Sequence, residues 1–171
     1  MSIQVVMEQI REWDRSSERP VTEEQLLALL EEAVWAPNHH LREPWRFIWV
    51  AQECRGQLEE TLDPLHHSRL RELIREAPVC LIVAAPVQKN AREATEDFAA
   101  ACCLIQNLQV LASASGLGMS WHLPLKAECE SFCLAAEVRP DERIAGVLGL
   151  GCLGDGPAIA PEKPHVQIDV W

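Results

Sequence analysis

Apolar residues in the first third of the chain recur at the spacing of one helical face. The first such set predicts a short amphipathic helix at residues 3 to about 13: Ile3, Val6, Met7 and Ile10. A second helix begins at a capping box formed by Thr22 and Gln25, three residues apart. Its buried stripe comprises Leu26, Leu29, Leu30, Ala33 and Val34. Pro37 disfavours helical geometry in the residue before it, so we expect this helix to end at Ala36.

Apolar runs farther along the chain predict strands at residues 47–51, 79–85, 119–122 and 144–152. The second run is apolar without interruption and ends at Pro86, which is typical of a central strand that is covered on both faces. Shorter helices are predicted at residues 54–62, 65–74 and 127–137.

A long helix is predicted from about residue 95 to residue 115. Apolar side chains cover most of its circumference, since Ala99, Cys103 and Val110 lie outside the main stripe. A helix of this kind is buried between layers or against a partner chain. Gly116 is expected to end it, because glycine readily adopts the left-handed conformation.

The C-terminal segment follows a Gly/Pro-rich connector at residues 154–164. Val166, Ile168 and Val170 alternate with polar residues, which predicts a half-buried strand on a long tether. Such a strand often pairs with the sheet edge of another subunit. We therefore expect an obligate homodimer.

Composition limits the classes of protein and partner. The 171 residues, 48% of them hydrophobic, suffice for a single domain, 1–171, with one sizeable core. The net charge of -11 disfavours nucleic acid and anionic membranes as partners. Neither a secretory leader pattern nor an uncharged apolar run of membrane-spanning length is present, so we expect a cytoplasmic protein. Seven cysteines, an odd number without a C-x-x-C pair, favour reduced thiols used in packing.

Two polar segments are candidates for chemistry. The segment 35–49, W-A-P-N-H-H-L-R-E-P-W-R-F-I-W, forms an imidazole-bearing corner between a helix and a strand, where a flat aromatic cofactor can be held. The loop 15–20, R-S-S-E-R-P, offers two guanidiniums and two hydroxyls that can grip a phosphate. Taken alone, this loop is more typical of a solvated connection. His66 and His67 lack further ligands at metal-binding spacing, so no metal site is expected.

Two other functional patterns are disfavoured. The glycines at 146, 149 and 151 lie within a predicted strand that no helix follows, so they do not form a nucleotide-binding fingerprint. A G-x-S-x-G elbow is missing from the sequence, and no cysteine lies in an evident electropositive setting. A hydrolase is therefore disfavoured.

Four segments, in consistent order and spacing, resemble the flavin-dependent nitroreductase family, and the resemblance spans nearly the whole chain. They are E-A-V-W-A-P-N-H-H-L-R-E-P-W-R-F-I (32–48), E-D-F-A-A-A-C-C-L-I-Q-N-L (96–108), G-L-G-M-S-W (116–121) and R-I-A-G-V-L-G-L-G (143–151). The chain is most similar to the short branch that carries P-N-H-H-L before E-P-W.

The resemblance implies an α+β fold in which helices flank a mixed β-sheet. It also implies an intertwined homodimer, with the long helix at the interface and the C-terminal arm, 154–171, adding a strand to the partner's sheet. Each end of the interface would hold one FMN touched by both chains. NAD(P)H would deliver hydride to the flavin, and a nitroaromatic, a quinone or a similar small acceptor would receive it. Since the flavin performs the redox chemistry, no catalytic residue is assigned.

The resemblance also implies which residues bind the cofactor. The FMN phosphate or ribityl chain would be held by Arg15, Ser16, Ser17 and Arg19, which reverses the preference for a plain loop. The isoalloxazine ring would be lined by Pro37, Asn38 and His39. The flavin or nicotinamide would be bordered by Trp121, His122 and Leu123. Lys163 lies where the family places a basic residue on the phosphate.

Several departures from the family pattern affect this predicted site. Arg15 lacks the usual second consecutive basic residue, and another register would place Arg11 on the phosphate. Leu41 stands where many relatives have a flavin-contacting Asn, and Pro124 replaces a frequent Gly. The region 63–76 is also shorter than usual. These departures leave open an alternative hypothesis, a non-catalytic dimeric flavin- or ligand-binding protein of the same fold.

Overall fold

The computed structural model describes residues 2–15, 17, 19–124, 130–154 and 166–169. The described helices are α1 Ile3–Glu8, α2 Glu23–Ala33, α3 Arg55–Glu60, α4 Ser68–Glu76, α5 Ala91–Ala114 and α6 Glu130–Ala135. The described strands are β1 Arg46–Trp49, β2 Val79–Pro86, β3 Leu117–His122 and β4 Glu142–Cys152. Short 3-10 turns at His39–Leu41 and Gln52–Cys54 precede β1 and α3.

The four strands form one sheet in the order β1-β2-β4-β3. Strand β2 lies inside the sheet, as its uninterrupted apolar run predicts. All three pairings are antiparallel, so the described sheet is antiparallel where a mixed sheet was expected. A parallel pairing would need a strand other than these four. The α+β class itself is confirmed.

Both faces of β2 are covered by helices. Leu81 and Val83 pack in one cluster with residues of α2 and α5, whereas Cys80 and Ile82 pack in a second cluster with residues of α3, α4 and α6. Successive side chains of a strand point to opposite faces, and here each of these four is at most 1% exposed. The core therefore consists of one sheet between two layers of helices.

Helix α5 has 24 residues and begins at Ala91, earlier than the predicted start near residue 95. The reason is a cap: the Asn90 side chain accepts a hydrogen bond from the Arg92 backbone N–H. The helix ends before Gly116, which has φ 76°. By length and composition alone α5 is apolar enough to cross a membrane, but it packs on the sheet with Leu104 fully buried, as the core helix of a globular domain does.

The predicted ends of α1 and α2 are wrong, and α4 begins at Ser68 instead of residue 65. Helix α1 stops at Glu8, because Trp13 leaves the helical path and packs in the second core cluster. Helix α2 stops at Ala33, with Val34 as its C-cap, instead of reaching Ala36. The capping box at its start is confirmed.

The predicted C-terminal strand is not tested. Residues 166–169 form no strand within this chain, and Val166 and Ile168 are 80% and 77% exposed. Val170 and most of the connector lie outside the described residues. Exchange of this strand with a second subunit stays a prediction.

The described cysteines form no disulfide with one another. Cys80 and Cys152 are buried, as expected for packing, and burial raises the pKa of Cys80 to about 11. Cys54 and Cys103 are exposed, so packing does not account for them.

Candidate functional site

A cavity of about 380 Å³ lies between α4, β3 and the arm, which we define as residues 9–21 between α1 and α2. Its walls include Glu12, Trp13, Arg15, Arg69, Glu72, Ser120, Trp121 and His122. Its volume falls within the range of about 300–1,000 Å³ that is typical of small-molecule sites. Arg15, Trp121 and His122, all predicted to bind the cofactor, are therefore brought together here.

The indole of Trp13 borders the cavity and is 6% exposed. It lies directly on β4 at two glycines. A Cβ at Gly149 would be 2.8 Å from Trp13 Cζ3, and a Cβ at Gly151 would be 2.9 Å from Trp13 Cβ. Larger residues at these positions would displace the indole. The glycines of β4 thus make room for Trp13.

Main-chain contacts fix the arm against β3. The Met119 N–H donates to Arg11 O at 3.0 Å. A Cβ at Gly118 would lie 2.4 Å from the backbone nitrogen of Trp13. Only glycine therefore allows the backbone of β3 and the backbone of the arm to approach this closely. The position of the arm, and hence of its predicted phosphate-binding residues, is set by backbone geometry.

Trp121 carries a second indole, which lies on the α5 side of the sheet, opposite Trp13. Its Nε1 donates to Ala145 O at 3.1 Å, and a Cβ at Gly146 would lie 2.5 Å from the same Nε1. The side chain nevertheless stays 39% exposed. An indole that is anchored in this way and partly exposed offers a surface on which a flat ligand can stack.

Arg15 pairs with two carboxylates of α4. Its Nη1 contacts Glu72 Oε1 and lies 3.2 Å from Glu76 Oε2. The hydrogen bond from Arg15 lowers the pKa of Glu72, and the same bond raises the pKa of Arg15. Since 49% of the Arg15 side chain is exposed, solvent screens this pairing. An anion at Arg15 must therefore compete with two carboxylates.

The other predicted phosphate-binding residues do not line the cavity within the described part of the chain. Arg19 Nε donates to Cys152 Sγ at 2.9 Å, and Ser17 is partly buried in the arm. Ser16 and Lys163 lie outside the described residues. The structure thus brings one of the predicted phosphate-binding residues, Arg15, to the cavity.

His122 ends β3 at the cavity. Burial lowers the pKa of His122 below its ordinary value of 6.5, and His67 and Arg69 lower it further. At neutral pH the imidazole is therefore uncharged and can donate one hydrogen bond and accept another. Leu123, which follows β3, is 47% exposed and is not among the described residues that line the cavity.

Two buried polar atoms of cavity-lining residues lack a hydrogen-bond partner within the described ranges: Trp13 Nε1 and Ser120 Oγ. Leaving such buried groups unsatisfied is costly, and most are paired in folded proteins. A ligand with acceptor atoms would satisfy both. The sequence analysis missed these residues, although Ser120 shares one face of β3 with His122, two positions on.

The predicted flavin-binding corner, residues 37–39, lies apart from this cavity. Its Asn38 Oδ1 accepts a hydrogen bond from the Glu43 N–H at 3.0 Å, and the loop packs against α5. None of the three corner residues is among the described residues that line the cavity. One chain therefore assembles the Trp121 half of the predicted site without the His39 half.

Solved structures share this fold. A nitroreductase-like protein from Bacillus cereus superposes with a TM-score of 0.81 and 26% identity, covering 96% of this chain and 92% of that chain. A protein from Desulfovibrio desulfuricans, described as a nitroreductase and crystallised in complex with FMN, gives a TM-score of 0.75 at 21% identity over 98% and 93% of the two chains. The architecture is thus that of a nitroreductase-like α+β protein.

Sequence comparison identifies the family. The model of the nitroreductase family matches residues 16–152. YfhC of Bacillus subtilis is 31% identical over 159 residues, which cover 86% of this chain and 82% of YfhC. YdjA of Escherichia coli K12 is 27% identical over 151 residues, which cover 82% of each chain. The names of both relatives assign them provisionally as NAD(P)H nitroreductases. The chain belongs to the nitroreductase family, a family of flavin oxidoreductases.

Proposed function

We propose that this protein is an FMN-dependent oxidoreductase that takes hydride from NAD(P)H and passes it to a small acceptor, such as a nitroaromatic or a quinone. It acts as a homodimer in the cytoplasm. One observation carries the proposal: Arg15, Trp121 and His122, three residues predicted to bind the cofactor, line one cavity together with two residues that hold unsatisfied polar atoms, Trp13 and Ser120. The provisional names of YfhC and YdjA support the same reaction.

The residues at the cavity fit a flavin on chemical grounds. An isoalloxazine ring has flat faces and acceptor atoms at its edges, so it suits a partly exposed indole and nearby polar donors. Trp121 would border the ring, while Trp13 Nε1 and Ser120 Oγ would donate hydrogen bonds to it. Bound FMN would supply the acceptance and return of a hydride. The protein would supply orientation and exclude water.

His122 and Leu123 would border the space that the nicotinamide and the acceptor occupy in turn. Because His122 is uncharged at neutral pH, it can donate a hydrogen bond to a nitro or quinone oxygen without adding a positive charge to the site. We assign it to binding and orientation, and no proton-transfer role is needed.

The phosphate end of the cofactor would be held by Arg15, Ser16, Ser17, Arg19 and Lys163. Arg15 is engaged by Glu72 and Glu76, so binding requires the phosphate to draw it away from α4. The exchange would replace a half-exposed, solvent-screened ion pair with a charge-assisted Arg–phosphate contact.

The corner 37–39 would complete the cavity of a second copy of the chain. It does not line the cavity of its own chain, and it is flanked by Trp35 and Leu41, each 82% exposed. Large apolar side chains this exposed are typical of a protein contact. The partly apolar outer face of α5 would lie in the same interface.

The second candidate is a non-catalytic flavin-binding protein of the same fold. The pairing of Arg15 with Glu72 and Glu76 favours it, because that pairing weakens the predicted phosphate site. Such a protein would hold flavin without exchanging electrons with a nicotinamide.

Titration of the purified protein with FMN, followed by anaerobic addition of NADH or NADPH, distinguishes the two candidates. Loss of the flavin absorbance, and its recovery when a quinone or nitroaromatic is added, supports the oxidoreductase. Bound flavin that stays oxidised with both nucleotides supports the second candidate, and failure to take up FMN contradicts both. Light scattering should give twice the mass of the chain if the homodimer is correct.

A further inference from the structure

The loop that carries the corner has a strained backbone. Four non-glycine residues in the described ranges have positive φ, and three of them lie here: His40 at 55°, Leu41 at 52° and Glu43 at 47°. Residues with a Cβ disfavour this left-handed region. Such conformations persist where the surrounding structure holds them, and they cluster at functional sites.

An ion pair between Arg42 and Asp97 fixes the middle of this loop. Arg42 Nε and Nη2 both donate to Asp97 Oδ1, at 2.9 Å and 2.6 Å. Asp97 lies on α5 and is 1% exposed, and its other oxygen accepts from Gln88 Nε2 at 3.0 Å. We call the Arg42–Asp97 ion pair the clamp. Because Arg42 lies between Leu41 and Glu43, the clamp acts at the centre of the strained segment. Removing Arg42 would leave the buried Asp97 carboxylate without its cation, which is costly, whereas removing Asp97 would leave Arg42 with only Glu96, at 3.6 Å, to pair with.

The strained segment is in turn bonded to the corner. The Glu43 N–H donates to Asn38 Oδ1 at 3.0 Å, and the Trp45 N–H donates to Glu43 O at 2.7 Å. Asn38 is one of the three residues predicted to line the flavin. The backbone conformation at Glu43, which sets the direction of its N–H, therefore determines the position of Asn38 and its neighbours.

We propose that Arg42 and Asp97 are positioning residues, which hold the loop 40–43 in its left-handed conformation and thereby hold the corner 37–39 in the geometry that receives the flavin. The identity of the ligand as FMN rests on the proposed function, whereas the stabilisation of the loop by Arg42 and Asp97 does not. Neither residue need touch the cofactor. Asp97 was not singled out by the sequence analysis.

A second ion pair of the same kind provides the matched control. Arg46 Nε and Nη2 donate to Glu142 Oε1 and Oε2 at 2.8 Å and 2.5 Å, and Glu142 is 8% exposed on its side chain. This pair joins β1 to the start of β4, and neither of its side chains is hydrogen-bonded to the corner or its loop within the described part of the chain. Glu142→Gln removes the same charge as Asp97→Asn at a comparable burial.

The first experiment compares Asp97→Asn with Glu142→Gln. Hydrogen exchange of the FMN-free protein should show the amides of Glu43 and Trp45 exchanging about tenfold faster in Asp97→Asn and unchanged in Glu142→Gln. Fluorescence titration should show FMN binding about tenfold weaker in Asp97→Asn and within about twofold of wild type in Glu142→Gln.

The second experiment tests the left-handed geometry by rescue. Glu43 is exposed, and glycine adopts positive φ at little cost, so Glu43→Gly should stabilise the loop without the clamp. In the Asp97→Asn background it should recover most of the lost FMN affinity and most of the lost amide protection. Glu43→Gln removes the same charge but keeps the Cβ, and it should recover neither.

Each outcome of these two experiments either supports or contradicts the positioning role of Arg42 and Asp97. Equal losses in Asp97→Asn and Glu142→Gln would overturn the positioning role, as would equal rescue by Gly and Gln at Glu43. Faster exchange at Glu43 and Trp45 with unchanged FMN affinity would overturn it too. If wild-type protein binds no FMN, the proposed function fails, and the exchange rates and their rescue alone then confirm or overturn the hold of Asp97 on the loop.

Discussion

The cavity and the loop 40–43 are the two halves of the candidate site, and they keep their shapes by different interactions. Around the cavity, indoles lie over glycines of β4 on the two faces of the sheet, in neutral steric contacts: Trp13 over Gly149 and Gly151 on one face, and Trp121 over Gly146 on the other. In the loop, the backbone conformation is unfavourable and the Arg42–Asp97 ion pair opposes the strain. Steric fit between indoles and glycines shapes the cavity, whereas an ion pair maintains the conformation of the loop.

This difference indicates how each half should fail. A close steric fit is damaged by added volume and is insensitive to the loss of a distant charge. A clamp on a strained loop is damaged when one charge is removed, and glycine in the loop relieves it. The rescue at Glu43 described above tests the loop, and three further predictions test the cavity, from the largest expected effect to the smallest.

Gly118→Ala should lower the free energy of unfolding by about 3 kcal/mol, the upper part of the range for overpacking. The new Cβ would meet the backbone of the arm at 2.4 Å from Trp13 N, and a backbone cannot rotate aside as a side chain can. Urea denaturation of the FMN-free protein measures the change.

Gly56→Ala provides the control for that measurement. Gly56 lies in α3, and a Cβ there would meet nothing within 4 Å. The substitution should therefore stabilise the protein by about 0.5–1 kcal/mol, as Gly-to-Ala changes do inside helices. A loss below about 1 kcal/mol for Gly118→Ala would show that the arm is not held by close backbone contact.

Local patterns in the sequence predicted much of the fold. The uninterrupted apolar run of β2 predicted a strand with two covered faces, because burial on both sides leaves no polar position in the pattern. Thr22 and Gln25 predicted the start of α2, since a capping box needs residues only three positions apart. Such signals depend on neighbouring residues alone.

The features that sequence patterns missed depend on contacts between distant residues. Trp13 continues the amphipathic pattern of α1, but its indole packs over Gly149, in a position that a continued helix would not give it. In the sequence, Asp97 resembles any other polar residue near the start of α5, and its partner Arg42 lies 55 positions away. The single chain also separates the corner 37–39 from the cavity, which no spacing along the sequence could indicate.

Glu72→Gln should tighten FMN binding by about threefold. It removes the carboxylate whose hydrogen bond raises the pKa of Arg15, and a half-exposed pair of this kind is screened by solvent, so the effect is small. The guanidinium would then be freer to contact the phosphate. Fluorescence titration at constant ionic strength measures the change.

The same substitution in an Arg15→Ala background tests the register of the arm. If Arg15 binds the phosphate, Glu72→Gln should have no effect there, because the competing cation is gone. If Arg11 binds it instead, Glu72→Gln should change affinity equally in both backgrounds. Glu60→Gln, on the exposed side of α3, controls for the loss of one negative charge.

The smallest expected effect is a dependence of stability on pH that comes from His122. Its pKa in the folded protein lies below the ordinary value of 6.5, because burial disfavours the charged imidazole. Above pH 6.5 the residue is neutral whether the chain is folded or not, and its contribution to stability is complete. As the pH falls below 6.5 the unfolded chain takes up the proton first, so stability is lost until the folded protein is protonated as well.

Urea denaturation of wild type and His122→Gln between pH 5 and 7.5 measures this contribution. The wild type should lose more stability than the variant as the pH falls, since Gln carries no titrating group. His40→Gln removes an imidazole that lies outside the cavity, and it serves as the control for the loss of one histidine. Parallel curves for wild type and His122→Gln would mean that the imidazole is solvated at the cavity mouth and is not shielded by burial.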